Sequence, residues 1–356
     1  MNYFTKTFKL VLSFCIMTVI CQAQTATPVP AVAPAPDTTK KDVPLSITGG
    51  VDVYYRGSGS SAPSKTAYTS AVNAFQLGTA NVVIAKDLGK IGFTADLYFG
   101  QRAQETNYNY PVTTTLSPLK QLFVTYKPSD KLKFTLGEFT TFFDYELIEA
   151  YNNLNYSTSY TFSNGPFFHT GIKMEYAFTS KFSGLIGVFD VTDTKGFSDN
   201  KHIGAQLAYV DGPFKGYLNF LNGTGLDSAN NSNVNFVGSY QVTPKFGVGL
   251  NVEYKSSSPN AKISSTSTSW TGVGLYLNYA ISDKFLLALR GENFDDTKGL
   301  AGYGTTMNEF TLSGNIKVDA LTFIPEIRFD SAGDNKKLFN GSTTDFSYLL
   351  AAVYKF

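Results

Sequence analysis

The sequence predicts an all-β chain, a transmembrane antiparallel β-barrel, and three observations support this fold class. The last eleven residues, FSYLLAAVYKF, alternate large apolar with smaller side chains up to Phe356, which is the period of a strand and not of a helix. Only 16% of residues are charged while 15% are aromatic, whereas soluble domains average about 25% charged residues. Beyond the N-terminus no stretch reaches the roughly 18 apolar residues that a membrane helix needs. A membrane protein of this composition therefore has to cross the bilayer as a closed barrel of β-strands.

The N-terminus predicts export. Two lysines precede an apolar core at residues 10–20 that is too short to cross a bilayer, and a small residue, Ala23, follows it at a cleavage position. We expect residues 1–23 to be a cleaved signal peptide, with a lipoprotein acylated at Cys21 as the alternative. Because both cysteines lie in this segment, the mature chain would have neither disulfides nor thiolate metal sites.

Residues 24–44 are rich in Pro, Ala and Thr and predict an extended periplasmic linker. From residue 45 to residue 356 the chain divides into alternating runs of about ten residues, the length of a membrane-spanning strand. Short and long connections follow each other in turn. The short ones contain Asp, Ser, Gly or Pro, and most end in a lysine followed directly by an apolar residue, as at Lys90-Ile91. A cation beside an apolar anchor is typical of a bilayer interface.

The alternating runs number about sixteen. An even count puts both ends of the barrel on the periplasmic side, and the long loops, rich in Ser, Thr, Asn and Gly, on the extracellular side. The turn at Val318-Asp319-Ala320 is the least defined, so strand counts of 14 or 18 are alternatives. We predict strands that begin near residues 45, 71, 91, 118, 132, 167, 182, 201, 214, 232, 245, 268, 284, 306, 320 and 342.

The strands separate into two faces. Around residue 172, Phe168, Ile172 and Tyr176 alternate with Lys173 and Glu175. A sheet in a soluble sandwich is the alternative, but its polar face would carry many more charges. Because a charge facing lipid costs about 2 to 4 kcal/mol at the bilayer midplane, we expect the apolar face outside. Sixteen strands then enclose a water-filled lumen.

The same alternation predicts charges of both signs, in similar number, on the lumen wall. This mixture predicts a hydrated lumen with weak ion preference. The wall residues that we single out are Lys173, Glu175, Glu253, Lys255, Glu326 and Arg328.

Two sequence blocks resemble a known family. LKQLFVTYKPSDKLKFTLGEF at residues 119–139 and the block that begins YELIEAYNNLNYSTSY at residue 145 resemble the OmpL-like β-barrel porins, most clearly over about residues 71–190. The resemblance implies an outer-membrane diffusion pore, names no solute and gives no functional residues to carry over. Together with the predicted water-filled lumen, it leads us to expect passive diffusion of small hydrophilic solutes across the outer membrane of a Gram-negative bacterium. A plugged structural or adhesive barrel is the alternative. We expect the barrel to be surrounded by outer-membrane lipid. The sequence does not decide whether the chain is a monomer or a homo-oligomer such as a trimer.

The longest loop, residues 139–166, is the candidate constriction. In a sixteen-stranded pore the loop after the fifth strand can fold inward, and its carboxylates can oppose basic wall residues. Glu146 and Glu149 are three residues apart, so one helical turn would put both on one face; a loop packed on the rim is the alternative. The predicted constriction residues are Asp144, Tyr145, Glu146, Glu149 and Tyr151.

The remaining class of function is an outer-membrane barrel that acts as an enzyme, such as a hydrolase. Only His169 and His202 could act as bases near neutral pH, and neither stands in a recognisable hydrolase signature. We therefore expect no catalytic residues, no metal and no cofactor. A net charge of +1 argues against a nucleic-acid partner.

Overall fold

The computed structural model describes residues 43–60, 64, 66–107, 116–195, 198–259 and 266–356. The predicted signal peptide and almost all of the linker at residues 24–44 lie outside these ranges. The described chain forms a closed antiparallel barrel in which each strand pairs with its neighbours in sequence and β16 returns to β1. The predicted all-β barrel is confirmed, and so is the count of sixteen strands.

Every strand begins within three residues of its predicted start. The turn between β14 and β15 is confirmed as well, with Asp319 at a φ of 54°, a left-handed conformation that Asp tolerates in tight turns. The strands are β1 Ser46–Ser58, β2 Ala74–Asp87, β3 Ile91–Phe99, β4 Leu119–Ser129, β5 Leu132–Thr140, β6 Phe168–Ala177, β7 Phe182–Asp190, β8 Lys201–Asp211, β9 Phe214–Thr224, β10 Asn230–Gln241, β11 Phe246–Ser257, β12 Thr268–Ser282, β13 Phe285–Asp295, β14 Thr306–Val318, β15 Leu321–Ala332 and β16 Thr344–Lys355.

The C-terminal strand closes the barrel. β16 pairs with β1 from Gly50 opposite Lys355 to Ser58 opposite Ser347. Its large apolar side chains, such as Tyr348, are exposed on the outside, while Ser347, Leu349, Ala351 and Val353 are buried inside. The alternation in the last strand therefore separates a lipid face from an interior face, as the sequence predicts.

The two-face pattern holds for most of β6 but fails at its first residue. Ile172 and Tyr176 are exposed on the outer surface, and Glu175 is buried in the interior. Phe168, predicted on the lipid face, is instead buried in a cluster with Tyr68 of the β1–β2 connection and Phe162 of the β5–β6 connection. Loop packing covers this end of the strand, which strand periodicity alone cannot predict.

Two short helices lie in stretches predicted as loops. The helices are α1 Gln101–Thr106 and α2 Tyr160–Asn164, and a 3-10 turn covers Ala150–Asn152. α2 begins after Ser159, whose side chain accepts a hydrogen bond from Phe162 N, the usual N-cap interaction. Among the described residues no helix is both long and apolar enough to cross a membrane.

Candidate functional site

The connection between β5 and β6, residues 141–167, lies inside the barrel. We call it the inward loop. Most of its aromatic side chains are almost completely buried, with Phe143, Tyr156 and Tyr160 all 0% exposed, and Tyr151 is half-buried. A rim loop would leave such rings in contact with water, so the loop is part of the barrel interior.

The first turn of the inward loop packs on aromatic residues of the wall. The ring centroid of Phe142 lies 5.2 Å from that of His169 on β6 and 5.9 Å from that of Phe189 on β7. Phe139 and Phe143 belong to the same buried cluster. This apolar contact fixes where the loop leaves β5.

The middle of the inward loop contacts two separate parts of the wall away from β5, where the loop begins, and β12 lies nearly opposite β5 in the barrel. Tyr145 stacks on Tyr276 of β12, with ring centroids 4.0 Å apart and planes 23° apart. Tyr156 packs in a cluster with Tyr54 of β1 and Ile324 of β15. The loop therefore crosses the lumen instead of lining one side of it.

Two wall glutamates hold the backbone of the inward loop. Glu326 on β15 accepts hydrogen bonds from Tyr156 N at 2.7 Å and Ser157 N at 3.1 Å. Glu292 on β13 accepts from Tyr160 N at 2.6 Å and from Thr161 N at 2.7 Å. A carboxylate that receives two backbone N–H groups forms strong, charge-assisted bonds, so these carboxylates fix the loop's position.

Two wall arginines hold the carbonyl groups of the same segment. Arg290 Nη1 donates to Ser157 O at 2.6 Å, and Arg328 Nη1 donates to Thr158 O at 2.7 Å. Arg290 is also ion-paired with Glu146 of the loop at 2.5 Å. Donors and acceptors of the loop backbone are thus both satisfied by the wall, which buried polar groups require.

Cavities lie on both sides of the inward loop. The inner cavity, about 310 Å³, lies between the loop and strands β4 to β8. Two outer cavities, of about 700 and 310 Å³, lie among the extracellular loops and share Lys255 and Leu300 in their linings. The charged residues of the inner cavity are Lys120, Lys133, Lys173, Glu149 and Glu175.

The family described as "Putative beta-barrel porin-2, OmpL-like" matches residues 44–356. The chain belongs to this family. Family and fold together make it an outer-membrane porin, a channel class. No curated protein matches the chain.

Solved structures of porins share the barrel. An anion-selective porin from Comamonas acidovorans has a TM-score of 0.62 at 11% identity, over 88% of this chain and 100% of that chain. The trimer form of OmpT, an outer membrane protein of Vibrio cholerae, has a TM-score of 0.58 at 11% identity, over 88% and 99%. At such low identity these similarities show the fold alone.

The structure places the predicted constriction residues of the porin in different surroundings. Asp144 Oδ1 accepts from Asn251 Nδ2 at 2.7 Å, and Tyr151 donates to Asn81 Oδ1 at 3.1 Å. Glu149 is ion-paired with Lys120 of β4. Of the three predicted carboxylates, only Glu149 is in the lining of the inner cavity.

The expectation that Glu146 and Glu149 share one face of a helical turn is wrong. Residues 146–149 are not helical. Glu146 points to Arg290 on β13, and Glu149 points to Lys120 on β4. Ion pairs with bases on separate strands outweigh the weak local preference of a three-residue spacing.

The predicted wall residues of the porin lie in the interior but differ in exposure. Glu175, Glu253, Glu326 and Arg328 are buried, whereas Lys173 and Lys255 are half-buried. Among the buried side chains of the described residues, which include those of the loops, carboxylates outnumber bases, while the balance of charges along the lumen wall stays a prediction. Many of these carboxylates face the inward loop, which the sequence pattern does not show.

Sequence reasoning missed two residues that position the loop. Glu292 is two residues from Arg290 on the same strand face, so the alternation rule could have found it. Arg102 of α1 donates to Ile148 O at 2.9 Å and to Tyr156 O at 3.1 Å. Nothing in the sequence around Arg102 signals this contact, because it joins two separate loops.

Both histidines of the porin serve as packed wall residues in this arrangement. His169 is fully buried, and its Nε2 lies 3.0 Å from Thr141 Oγ1. His202 Nδ1 lies 2.9 Å from Thr192 Oγ1. The described residues contain no group of three or more potential metal ligands.

Proposed function

We propose that this porin lets small hydrophilic solutes diffuse passively past the inward loop, along the side of the lumen formed by β4 to β8. The inner cavity of about 310 Å³ between that wall and the loop carries this proposal. The opposite side is less suited, because there the loop packs on Tyr54 and Ile324 in an apolar cluster. The β4 to β8 side has a polar, charged lining in which water is stable.

The constriction on this path is the contact of Glu149 with Lys120. Glu149 belongs to the inward loop and Lys120 to the wall, and their ion pair bridges the two. Lys120 also contacts Asp96 at 3.1 Å, so the lysine keeps a partner when Glu149 changes. A solute that passes here meets carboxylates and amines, which suits hydrophilic molecules.

We further infer that residues 1–23 direct export and that residues 24–44 form a periplasmic linker. The exposed apolar side chains of the strands, such as Leu350 and Phe310, then contact outer-membrane lipid. Assembly as a homo-trimer is supported by the trimer form of the Vibrio cholerae protein, with a monomer as the alternative. Analytical ultracentrifugation of the detergent-solubilised mature chain distinguishes the two.

Planar-bilayer conductance of the mature chain tests the proposed path. We expect stable, ohmic steps that persist in His169→Ala and His202→Ala. Glu149→Gln should raise the step size, because it breaks the contact between loop and wall. Asp211→Asn, which breaks an exposed ion pair with Lys181 at the periplasmic rim, should leave the step size unchanged.

A correctly folded barrel that inserts without carrying current would overturn the proposal. An ohmic pore whose step size is the same in Glu149→Gln would retain the pore and reject this constriction.

A further inference from the structure

The lysines that line the three cavities fall into two groups. Lys120 is ion-paired with Asp96 and Glu149, and Lys133 is ion-paired with Glu175 at 2.5 Å. The other two are Lys173 in the inner cavity and Lys255 in the outer cavities. Their described contacts are a ring and a backbone carbonyl. Neither has a carboxylate within ion-pairing distance among the described residues.

Lys255 lies where the two outer cavities meet, since it lines both. Its Nζ donates to Asn164 O at 3.1 Å, and an ammonium group has three N–H donors. The side chain is half-buried, so its charge is screened less than that of a surface lysine. Lys255 can therefore offer both charge and hydrogen bonds to a molecule in either cavity.

The carboxylates that line the outer cavities already hold backbone groups of the loops. Asp193 Oδ1 accepts from Phe167 N at 2.8 Å, and Asp227 Oδ1 accepts from Ala229 N at 3.0 Å. Glu105 accepts a hydrogen bond from Tyr68 N.

Glu253 is also close, two residues from Lys255 on the same face of β11. Its Oε1 accepts from Asn233 Nδ2 at 2.9 Å, and its carboxyl group interacts with that of Asp144. Glu253 and Asp144 act on Lys255 through their charge, but neither lies within ion-pairing distance of it. Lys255 remains the cation that lines both outer cavities.

The outer cavities have the size and lining for an organic molecule. The larger one, about 700 Å³, is lined by Phe167, Trp270 and Tyr303 together with Asn164 and Lys255. Pockets of about 300 to 1,000 Å³ hold small organic ligands, and a few polar groups among aromatic walls orient them. A carboxylate on Lys255 would place the rest of such a molecule against these rings.

Lys173 repeats this arrangement on the inner side of the loop. It lies on β6, and its Nζ is 4.4 Å from the centroid of the Phe139 ring. The same cavity contains Gln206 and Thr140, which can hydrogen-bond to hydroxyl groups. Glu175 acts on Lys173 through its charge but lies outside ion-pairing distance. The inner cavity and the pair of outer cavities therefore each have a lysine beside aromatic residues that forms no close ion pair among the described residues.

We propose that Lys255 and Lys173 are successive binding positions for the carboxylate of a small hydrophilic organic anion, such as a sugar acid. The proposal rests on the diffusion path described above and names its preferred solutes. The anion binds Lys255 in the outer cavities, passes the inward loop, and binds Lys173 in the inner cavity. Neutral molecules of the same size cross without this assistance.

Gluconate and glucose are matched probes, because they differ little in size and mainly in charge. We would reconstitute the mature chain in liposomes and measure the influx of each. Lys255→Gln should lower gluconate influx at least about threefold while glucose influx stays constant, since one cation in a cleft raises the local anion concentration by such factors or more. Lys173→Gln should do the same, and Lys255→Arg should retain gluconate influx.

Lys337→Gln is the control, because it removes the same charge from an exposed residue of the last extracellular loop. Equal gluconate influx in wild type, Lys255→Gln and Lys173→Gln, with glucose still crossing, would overturn the binding positions and leave the pore intact. A wild-type protein that admits neither solute would overturn the proposed function itself. If gluconate influx and glucose influx fell equally in the variants, the substitutions would have altered the loop structure, and a charge-specific role of the lysines would be rejected.

Discussion

Glu292 is the residue at which the position of the inward loop can be tested most directly. Its carboxylate accepts three hydrogen bonds, from Tyr160 N at 2.6 Å, Thr161 N at 2.7 Å and Thr161 Oγ1 at 2.5 Å. These three bonds hold the first turn of α2 against β13. Glu292→Gln keeps the shape of the side chain but removes the charge and replaces one acceptor oxygen by a donor NH₂ group. One backbone N–H of the loop then faces another donor.

The magnitude follows from the bonds that are lost. A hydrogen bond to a charged group contributes about 1.5 to 3 kcal/mol, so losing two of the three weakens loop docking by about 3 to 6 kcal/mol. Since each 1.4 kcal/mol is about a factor of ten, local opening around Thr161 should increase by roughly 10² to 10⁴.

Hydrogen exchange of the folded barrel in detergent measures this opening. In Glu292→Gln, amides of residues 156–162 should exchange faster by that factor, and single-channel current should become noisier. Asp345→Asn is the matched control, because Asp345 is a buried interior carboxylate that contacts Ser58 and Arg56. Unchanged protection of residues 156–162 in Glu292→Gln would refute the assignment of Glu292 as an anchor of the loop.

Three further results are expected. Burial, with the charge of Glu146 nearby, raises the pKa of Asp144 in the loop to about 7. Because an exposed Asp has a pKa of 3.8, loop docking should be strongest below about pH 4, weaken as the pH rises from about 4 to 7, and change little above 7. Current noise should therefore increase from about pH 4 to 7 in wild type and increase less in Asp144→Asn; equal profiles would contradict this. Phe142→Ala removes a buried ring and should lower the free energy of unfolding by about 3 to 5 kcal/mol, measured by urea denaturation, and a loss below about 1 kcal/mol would contradict the packing role. Arg102→Gln should also speed amide exchange at residues 148–156, and an exchange pattern like that of wild type would show that α1 does not hold the loop.

The strands, their two faces and the position of the long loop could be predicted from the sequence alone. Alternation has a period of two residues, and the high cost of a lipid-facing charge assigns one face to the outside. These are local properties of each segment, so the start of β16 and even the turn at Asp319 could be predicted without knowing any partner strand. The presence of acidic residues in the β5–β6 loop was also readable from its composition.

The partners of those acidic residues depend on how the closed barrel brings distant strands together. Tyr160 and Glu292 are 132 residues apart in the chain, and they meet because the barrel closes and brings β13 opposite the loop. The same closure directs Glu146 to Arg290 and Glu149 to Lys120, against the local expectation of a shared face. Contacts across a lumen depend on the register of all sixteen strands together, and no local sequence pattern contains that information.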